Sequence, residues 1–302
     1  MLSIIIRDFN ESAVFVNKML SQCSKINLKK EVIYVSNAPY RDFVKKVESS
    51  NLPFLTHFVG NIESSGEALN RGGIASSGDI LLFMDSHVCF DESNILRLLD
   101  TQARRPMSVI GPAIVSRPNF PECTTGANDK GYGSAFYFSP GRPFDWKWLP
   151  PSSTTNEFKI PFVCACSFMI PKQLFDILQK YGGFIGKYQG MNFDEEPFMR
   201  LARLGYSTYS EPRAVFGHRY STLAQNNYYQ PDRRSAFDRS RIATIFINVF
   251  DEELLEKITR ISIPVFGDWY KDFEIVKKDY GWVIMEMQKH AHRIDENWYF
   301  RT

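Results

Sequence analysis

An aspartate and a histidine two residues apart, Asp85 and His87, follow directly on the apolar run 80–84. A carboxylate oxygen and an imidazole nitrogen are both metal-ligating groups. At this spacing the two side chains leave an extended chain on the same side. Together with the intervening Ser86 they make half of a divalent-metal site. A run without polar alternation predicts a strand covered on both faces. In open α/β sheets, ligands bind in the crevice beyond the carboxyl ends of such strands. An isolated Asp-x-His is more often a turn acid beside a surface histidine, so the surrounding elements carry the weight.

Those elements alternate. Residues 3–6 and 31–35 predict strands, as does the weaker 54–59, while 13–23, 41–48 and 66–76 predict helices. Residues 91–102 read as a helix and 109–115 as a strand. Residues 118–153, rich in Pro, Gly, Ser and aromatic side chains, read as a long lid or binding loop. Next come a strand over 162–170, with Cys164 and Cys166 as small alternating residues, and a helix from 171 to 179. A helix following Asp194-Glu195-Glu196 runs to about Leu204, with Gly205 as its C-cap. Short extended pieces at 206–209 and 214–218 precede helices at 232–249 and 251–258 and an aromatic, charged, helical tail. This order predicts an α/β fold with a mostly parallel sheet flanked by helices. No Gly-x-Gly-x-x-Gly follows the first strand and no P-loop is present, which leaves a sugar-nucleotide or mononucleotide fold.

The whole chain sets broad bounds. Its 302 residues suffice for one large α/β domain or two small ones, and a net charge of +2 argues against a strongly electrostatic polyanion binder. No apolar run approaches the roughly 18 residues of a membrane span, and the N-terminus starts as a strand rather than a signal segment. Five cysteines without CxxC spacing predict reduced thiols in a cytoplasm rather than a disulfide framework or a zinc site.

From Asn61 to His87 the order is Asn61, Gly66, Ala68, Asn70, Arg71, Gly72, Ala75, Gly78, Asp79, a strand, then Asp85-Ser86-His87. This resembles the nucleotide-sugar half of GT-A glycosyltransferases, and the Asp-Ser-His form is similar to that of the polypeptide N-acetylgalactosaminyltransferases. Phe9-Asn10-Glu11 stands where that family has a His-Asn-Glu turn. Phe144-Asp145-Trp146-Lys147-Trp148, Gly182-Gly183-Phe184, Asp194-Glu195-Glu196 and Val215-Phe216-Gly217-His218-Arg219-Tyr220 resemble further family elements in colinear order, over roughly residues 1–245. The expected architecture is a GT-A (Rossmann-like) catalytic domain over 1–225, with a nucleotide-sugar half (1–117) and an acceptor half (118–225). A helical C-terminal extension, 226–302, packs on it.

The resemblance implies a metal-dependent glycosyltransferase using a UDP-sugar donor. Asp85, His87 and His218 would hold the ion, and mixed carboxylate–imidazole ligation suits Mn²⁺ better than Mg²⁺. Ser86 lies within that motif. Arg219 or Arg71 would pair with the diphosphate. Asn37 stands at the end of the second strand, where related enzymes place an acid that contacts uracil, so the amide puts the base in question. Asp8 and Asn10 are further candidates for base or ribose. Glu195 or Glu196 would face the donor or acceptor sugar, with helix capping as the alternative. Trp146 and Trp148 would be stacking platforms or core aromatics. The Asp194-Glu195-Glu196 cluster offers a base for an inverting reaction, whereas the family it resembles retains configuration, and retention is the expectation.

Membrane anchor and lectin domain, which the animal enzymes carry, are absent from the sequence, and the expectation is a cytoplasmic bacterial or viral enzyme. Acceptors left open are a protein or peptide side chain, a polysaccharide, a lipid-linked sugar, and a hydroxylated DNA base. The last draws on the basic cluster Arg233, Arg234, Arg239 and Arg241, for which a solvated helix face is the plainer explanation. Rival classes are a nucleotidyltransferase, which would need a glycine- and base-rich loop where residues 7–12 stand, and a non-catalytic sugar-binding module.

Overall fold

The computed structural model describes residues 1–9, 11–116, 130–139, 142–185, 195–219, 231–250, 252–262, 269–292, 294–295 and 299–301. Strands β1 (Leu2–Asp8), β2 (Lys30–Ser36), β3 (His57–Val59) and β4 (Ile80–Asp85) pair in parallel in the order β4-β1-β2-β3. Their connections are the helices α1 (Ala13–Ser24), α2 (Tyr40–Val44) and α3 (Ser65–Ala75). Ile4, Ile5 and Ile6 of β1 and Leu81, Leu82 and Phe83 of β4 are all buried, as strands covered on both faces require.

Beyond β4 the sheet continues through elements later in the chain: β5 (Val88–Cys89), α4 (Glu92–Arg104), β6 (Ser108–Ser116), β7 (Lys130–Gly131), β10 (Phe158–Lys159), β11 (Ser167–Pro171), α5 (Lys172–Lys180), α6 (Glu196–Arg203) and β12 (Ser207–His218). The full path is β10-β12-β6-β11-β4-β1-β2-β3, with β5 on β12 and β7 on β6. β11 runs antiparallel to both of its neighbours, inside an otherwise parallel core. The stretch expected as one long lid contains β8 (Ser134–Ser139) and β9 (Arg142–Trp148), an antiparallel pair. With β13 (Phe300–Arg301) they form a separate three-stranded sheet. Helices α7 (Pro231–Asn248), α8 (Glu252–Ser262) and α9 (Trp269–His290) complete the fold. Ile242, Val276, Val283 and Met287 of α7 and α9 join the same buried cluster as Phe83, Phe175 and Phe198.

Several sequence expectations need correction. Residues 52–54 form a single 3₁₀ turn with Pro53 near its start, which shortens the strand expected at 54–59 to β3. The strand expected at 162–170 begins only at Ser167. Cys164, Ala165 and Cys166 precede it, because the Ala165 peptide bonds to side chains rather than to a ladder. The pieces at 206–209 and 214–218 are one strand, β12, whose register shifts between Glu211 and Val215 around Pro212. Cys89 is disulfide-bonded, against the expectation of reduced thiols, and its partner lies outside the described residues. Cys23, Cys164 and Cys166 are free. Among the described residues no helix is long and apolar enough to cross a membrane.

The small residues of α3 let it approach the sheet. A Cβ at Gly72 would lie 2.5 Å from Ile5 Cγ2, and one at Gly73 would lie 2.3 Å from Phe175 Cζ. Gly73→Ala therefore drives a methyl into a closed aromatic face, and we expect a loss of about 1–3 kcal/mol. A denaturant midpoint equal to that of the parent would show that Phe175 can step aside.

Candidate metal centre

Backbone pairing assembles this site from distant segments. Arg7 and Asp85 are register partners across β1 and β4. β5 folds back against the end of β12, with Val88 opposite His218 and Cys89 opposite Gly217. That pairing sets His87 beside His218, and the Arg219 N–H bonds the His87 carbonyl at 3.3 Å. The Asp85 N–H donates to the Cys166 carbonyl and the Ser86 N–H to the Arg7 carbonyl, at 2.9 and 3.0 Å. The chain turn at Asp85–His87 is thus held from both sides.

The three side chains converge. His218 Nε2 lies 3.2 Å from Asp85 Oδ2, and His87 Nε2 lies 3.1 Å from His218 Nε2. His87 Nε2 lies 3.9 Å from the same carboxylate oxygen. Donor atoms about 3 Å apart match one edge of a ligand shell with bonds of roughly 2.1 Å. Among the described residues these three form the one group of His, Cys, Asp and Glu whose ligand atoms cluster this way, all within 4.8 Å of each other.

Two residues behind the ligands did not enter the sequence expectations as site residues. His87 Nδ1 lies 2.8 Å from Glu11 Oε1. With Nδ1–H donating to that carboxylate, Nε2 carries the lone pair and faces His218 and Asp85. A carboxylate behind a ligating histidine orients the ring and raises its basicity. Glu11→Gln is accordingly expected to weaken divalent-ion affinity about 10–100-fold, read from Mn²⁺ electron paramagnetic resonance titration. Unchanged affinity would make Glu11 a turn residue alone. The second residue is Arg7, whose Nε donates to Asp85 Oδ1, whose Nη1 donates to Ser65 Oγ, and whose Nη2 reaches the Ala165 carbonyl at 3.0 Å.

These neighbours set the charge states. Burial acts to raise the Asp85 carboxyl, but Arg7, together with His218 and His87, holds it well below the usual carboxylate range. Burial lowers His218, against the pull of Asp85. At His87 burial also acts to lower the imidazole, but Glu11 and Asp85 outweigh it and raise the group. The arrangement is one firm carboxylate and two closely apposed imidazoles, a donor set for a cation.

The other expected residues fall into distinct positions. Ser86 is buried beneath the turn. Asp8 is also buried. Its Oδ1 accepts the Glu11 N–H at 2.8 Å and its Oδ2 accepts the Ser36 hydroxyl at 3.0 Å, so it ties β1 to β2. Asn37, just past β2, is exposed. Arg71 lies on the outer side of α3 in an ion pair with Glu67 at 3.1 Å. Arg219 follows His218 directly, with its guanidinium 4.7 Å from the centre of the Phe15 ring. Asn10 and Asp194 lie outside the described residues. Trp146 is on β9 opposite Phe136, and its side chain lies outside the described residues. Trp148 packs over Gly131, where a Cβ would sit 1.9 Å from the indole.

The two adjacent glutamates part company. Glu195 is the buried N-cap residue of α6, but its side chain makes no capping bond and instead accepts the Ala165 N–H at 3.3 Å. Since the Ala165 carbonyl accepts from Arg7, Glu195 stands one peptide away from the arginine that holds Asp85. Glu196 belongs to the core instead. Its Oε1 and Oε2 take Arg200 Nε and Nη2, each at 2.7 Å, and Asn248 Nδ2 adds a bond to Oε1 at 2.7 Å.

An α/β sheet with an Asp-x-His turn and a late histidine at its carboxyl edge is the GT-A fold. The family model of glycosyl transferase family 2 matches residues 3–176, more than half of the chain, and the chain belongs to that family. Over 287 residues it is 23% identical to polypeptide N-acetylgalactosaminyltransferase 11 of Xenopus tropicalis, covering 89% of this chain and 46% of that protein. The chain thus spans about half the length of this relative.

Solved structures show the same fold. That of GalNAc-T7 with UDP, GalNAc and Mn²⁺ superposes with a TM-score of 0.67 at 15% identity, over 96% of this chain and 56% of that one. The mannosyltransferase PcManGT of Pyrobaculum calidifontis, with GDP-Man and Mn²⁺, gives 0.54 at 14%, over 96% and 73%. TarS of S. aureus with UDP gives 0.54 at 14%, over 85% and 69%.

Proposed function

We propose that this protein transfers a sugar from a UDP-sugar to a hydroxyl acceptor, using a divalent ion held by Asp85, His87 and His218. The observation that carries the reading is the convergence of those three donor atoms at the carboxyl edge of the sheet. Mn²⁺ suits one carboxylate and two imidazoles better than Mg²⁺ does. The bound ion would supply charge neutralisation for the departing diphosphate. Relatives of the same fold were solved with UDP and Mn²⁺, or with GDP-Man and Mn²⁺. The fold alone therefore leaves the base open, and exposed Asn37 is positioned to read it. Arg219, adjoining His218, is the better placed of the two expected arginines for the diphosphate, since Arg71 is paired on the outer side of α3.

Residues 1–117 form the donor half in this reading, 118–225 the acceptor half, and 226–302 the extension that braces them. Glu195 lines the sugar side, through the Ala165 peptide. Retention of configuration is our reading of the outcome, because Glu196 is committed to Arg200 and Glu195 to a backbone amide. A protein or glycan hydroxyl is the acceptor class we favour. The DNA-base alternative loses part of its basis, because Arg239 pairs with Asp272 at 2.6 Å and Arg241 lies 3.8 Å from Asp238. The side chains of Arg233 and Arg234 lie outside the described residues.

A panel of UDP-sugars and GDP-mannose, assayed for nucleotide release with and without Mn²⁺, tests the reading. Mn²⁺-dependent release of UDP supports it, and NMR of the product anomer reports the stereochemistry. Formation of UTP and sugar 1-phosphate on addition of pyrophosphate would indicate a nucleotidyltransferase, and binding without turnover a sugar-binding module.

A further inference from the structure

Arg7 is a charged residue that follows three isoleucines on β1, and it is nearly enclosed, with a side chain 10% exposed. Its guanidinium spans three elements. It touches Asp85 at the end of β4, Ser65 at the start of α3 and the Ala165 carbonyl before β11. Asp85 Oδ1 is thereby engaged, and Oδ2 is the oxygen that faces His218 and His87. Asp85 can offer a cation one oxygen, not two. Of the three ligands only Asp85 is anionic, and Arg7 sets a positive charge in direct contact with it. Glu11 adds a negative charge behind His87. That leaves a doubly charged cation short of compensation from the protein alone.

We propose that Arg7 makes ion retention conditional on the donor: by holding Asp85 to one coordinating oxygen and cancelling its charge, it lets a divalent cation bind firmly only together with a nucleoside diphosphate. The inference rests on the metal-dependent reading above. Binding of ion and diphosphate is then reciprocal, each tightening the other. Arg7 is a positioning residue, acting through Asp85. At an effective dielectric constant of about 20, removing a fixed positive charge this close to a cation favours that cation by well over a tenfold factor.

The test is calorimetric titration of Mn²⁺ into the parent, Arg7→Met and Arg7→Lys proteins, with and without saturating UDP, alongside thermal melts. We expect UDP to tighten Mn²⁺ at least tenfold in the parent. Arg7→Met should bind Mn²⁺ alone at least tenfold more tightly than the parent, with a smaller gain from UDP. Arg7→Lys keeps the charge and should stay within about threefold of the parent. If the Met protein does not fold, Arg7→Gln provides the same neutral comparison. Neutral variants that bind Mn²⁺ no more tightly than the parent overturn the inference, since a merely structural arginine would weaken the site when lost. A parent that takes up no Mn²⁺ even with UDP would instead remove the metal-dependent reading and this inference with it.

Discussion

Asp85→Asn is expected to reduce sugar transfer by about 10²–10³-fold at saturating Mn²⁺, the scale of losing one preorganised electrostatic contact to a developing charge. The change is nearly isosteric, so the turn and its backbone bonds to Cys166 persist. What disappears is the anionic donor of the triad, while Arg7 remains beside the site with its positive charge unbalanced. Ion binding and diphosphate stabilisation should fail together. kcat/KM and Mn²⁺ affinity, measured on protein with a parental melting curve, make the comparison. A variant keeping more than about a tenth of the parent rate would mean that the triad is not where the diphosphate charge is met.

The largest effect on stability should come from Arg200→Met. Arg200 is 1% exposed and Glu196 fully buried. The guanidinium also donates to the Tyr181 and Gly183 carbonyls, and Asn248 joins the same carboxylate from the end of α7. Removing the cation strands a buried carboxylate and two carbonyls. Breaking such a pair costs about 3–5 kcal/mol, against a total of roughly 5–15 kcal/mol for a domain. The double change Glu196→Leu with Arg200→Met should recover only part of the loss, because the two carbonyls and Asn248 still lack their partners. Urea denaturation of the parent, Arg200→Met, Glu196→Leu and the double variant gives the coupling. A single variant within 1 kcal/mol of the parent would show that water reaches the pair.

What could be read from the sequence follows distance along the chain. Asp85 and His87 are legible because the two stand two residues apart at the end of one apolar run. The βα alternation up to β4 was legible for the same reason. β11 was not, since an apolar run reads the same in either direction and its antiparallel course depends on which strands flank it. The role of Arg7 depends on its register opposite Asp85, a pairing across 78 positions that no local pattern contains. His218 was located only through the family resemblance. The two-residue β5 that holds His87 beside it is too short to announce itself. The place of Glu196 is nearer to hand: an acid four residues ahead of Arg200 on one helix is a readable ion pair.

The pairing of β5 with β12 has a temporal consequence. Asp85 and His218 are separated by 133 positions, and β12, which carries His218, is aligned along β6 from Ser207 to His218. As the chain is synthesised, Asp85 and His87 precede His218, and the triad is incomplete until β12 has been made. Contacts this remote in sequence form late and slowly. Closure of the triad would therefore report the finished sheet.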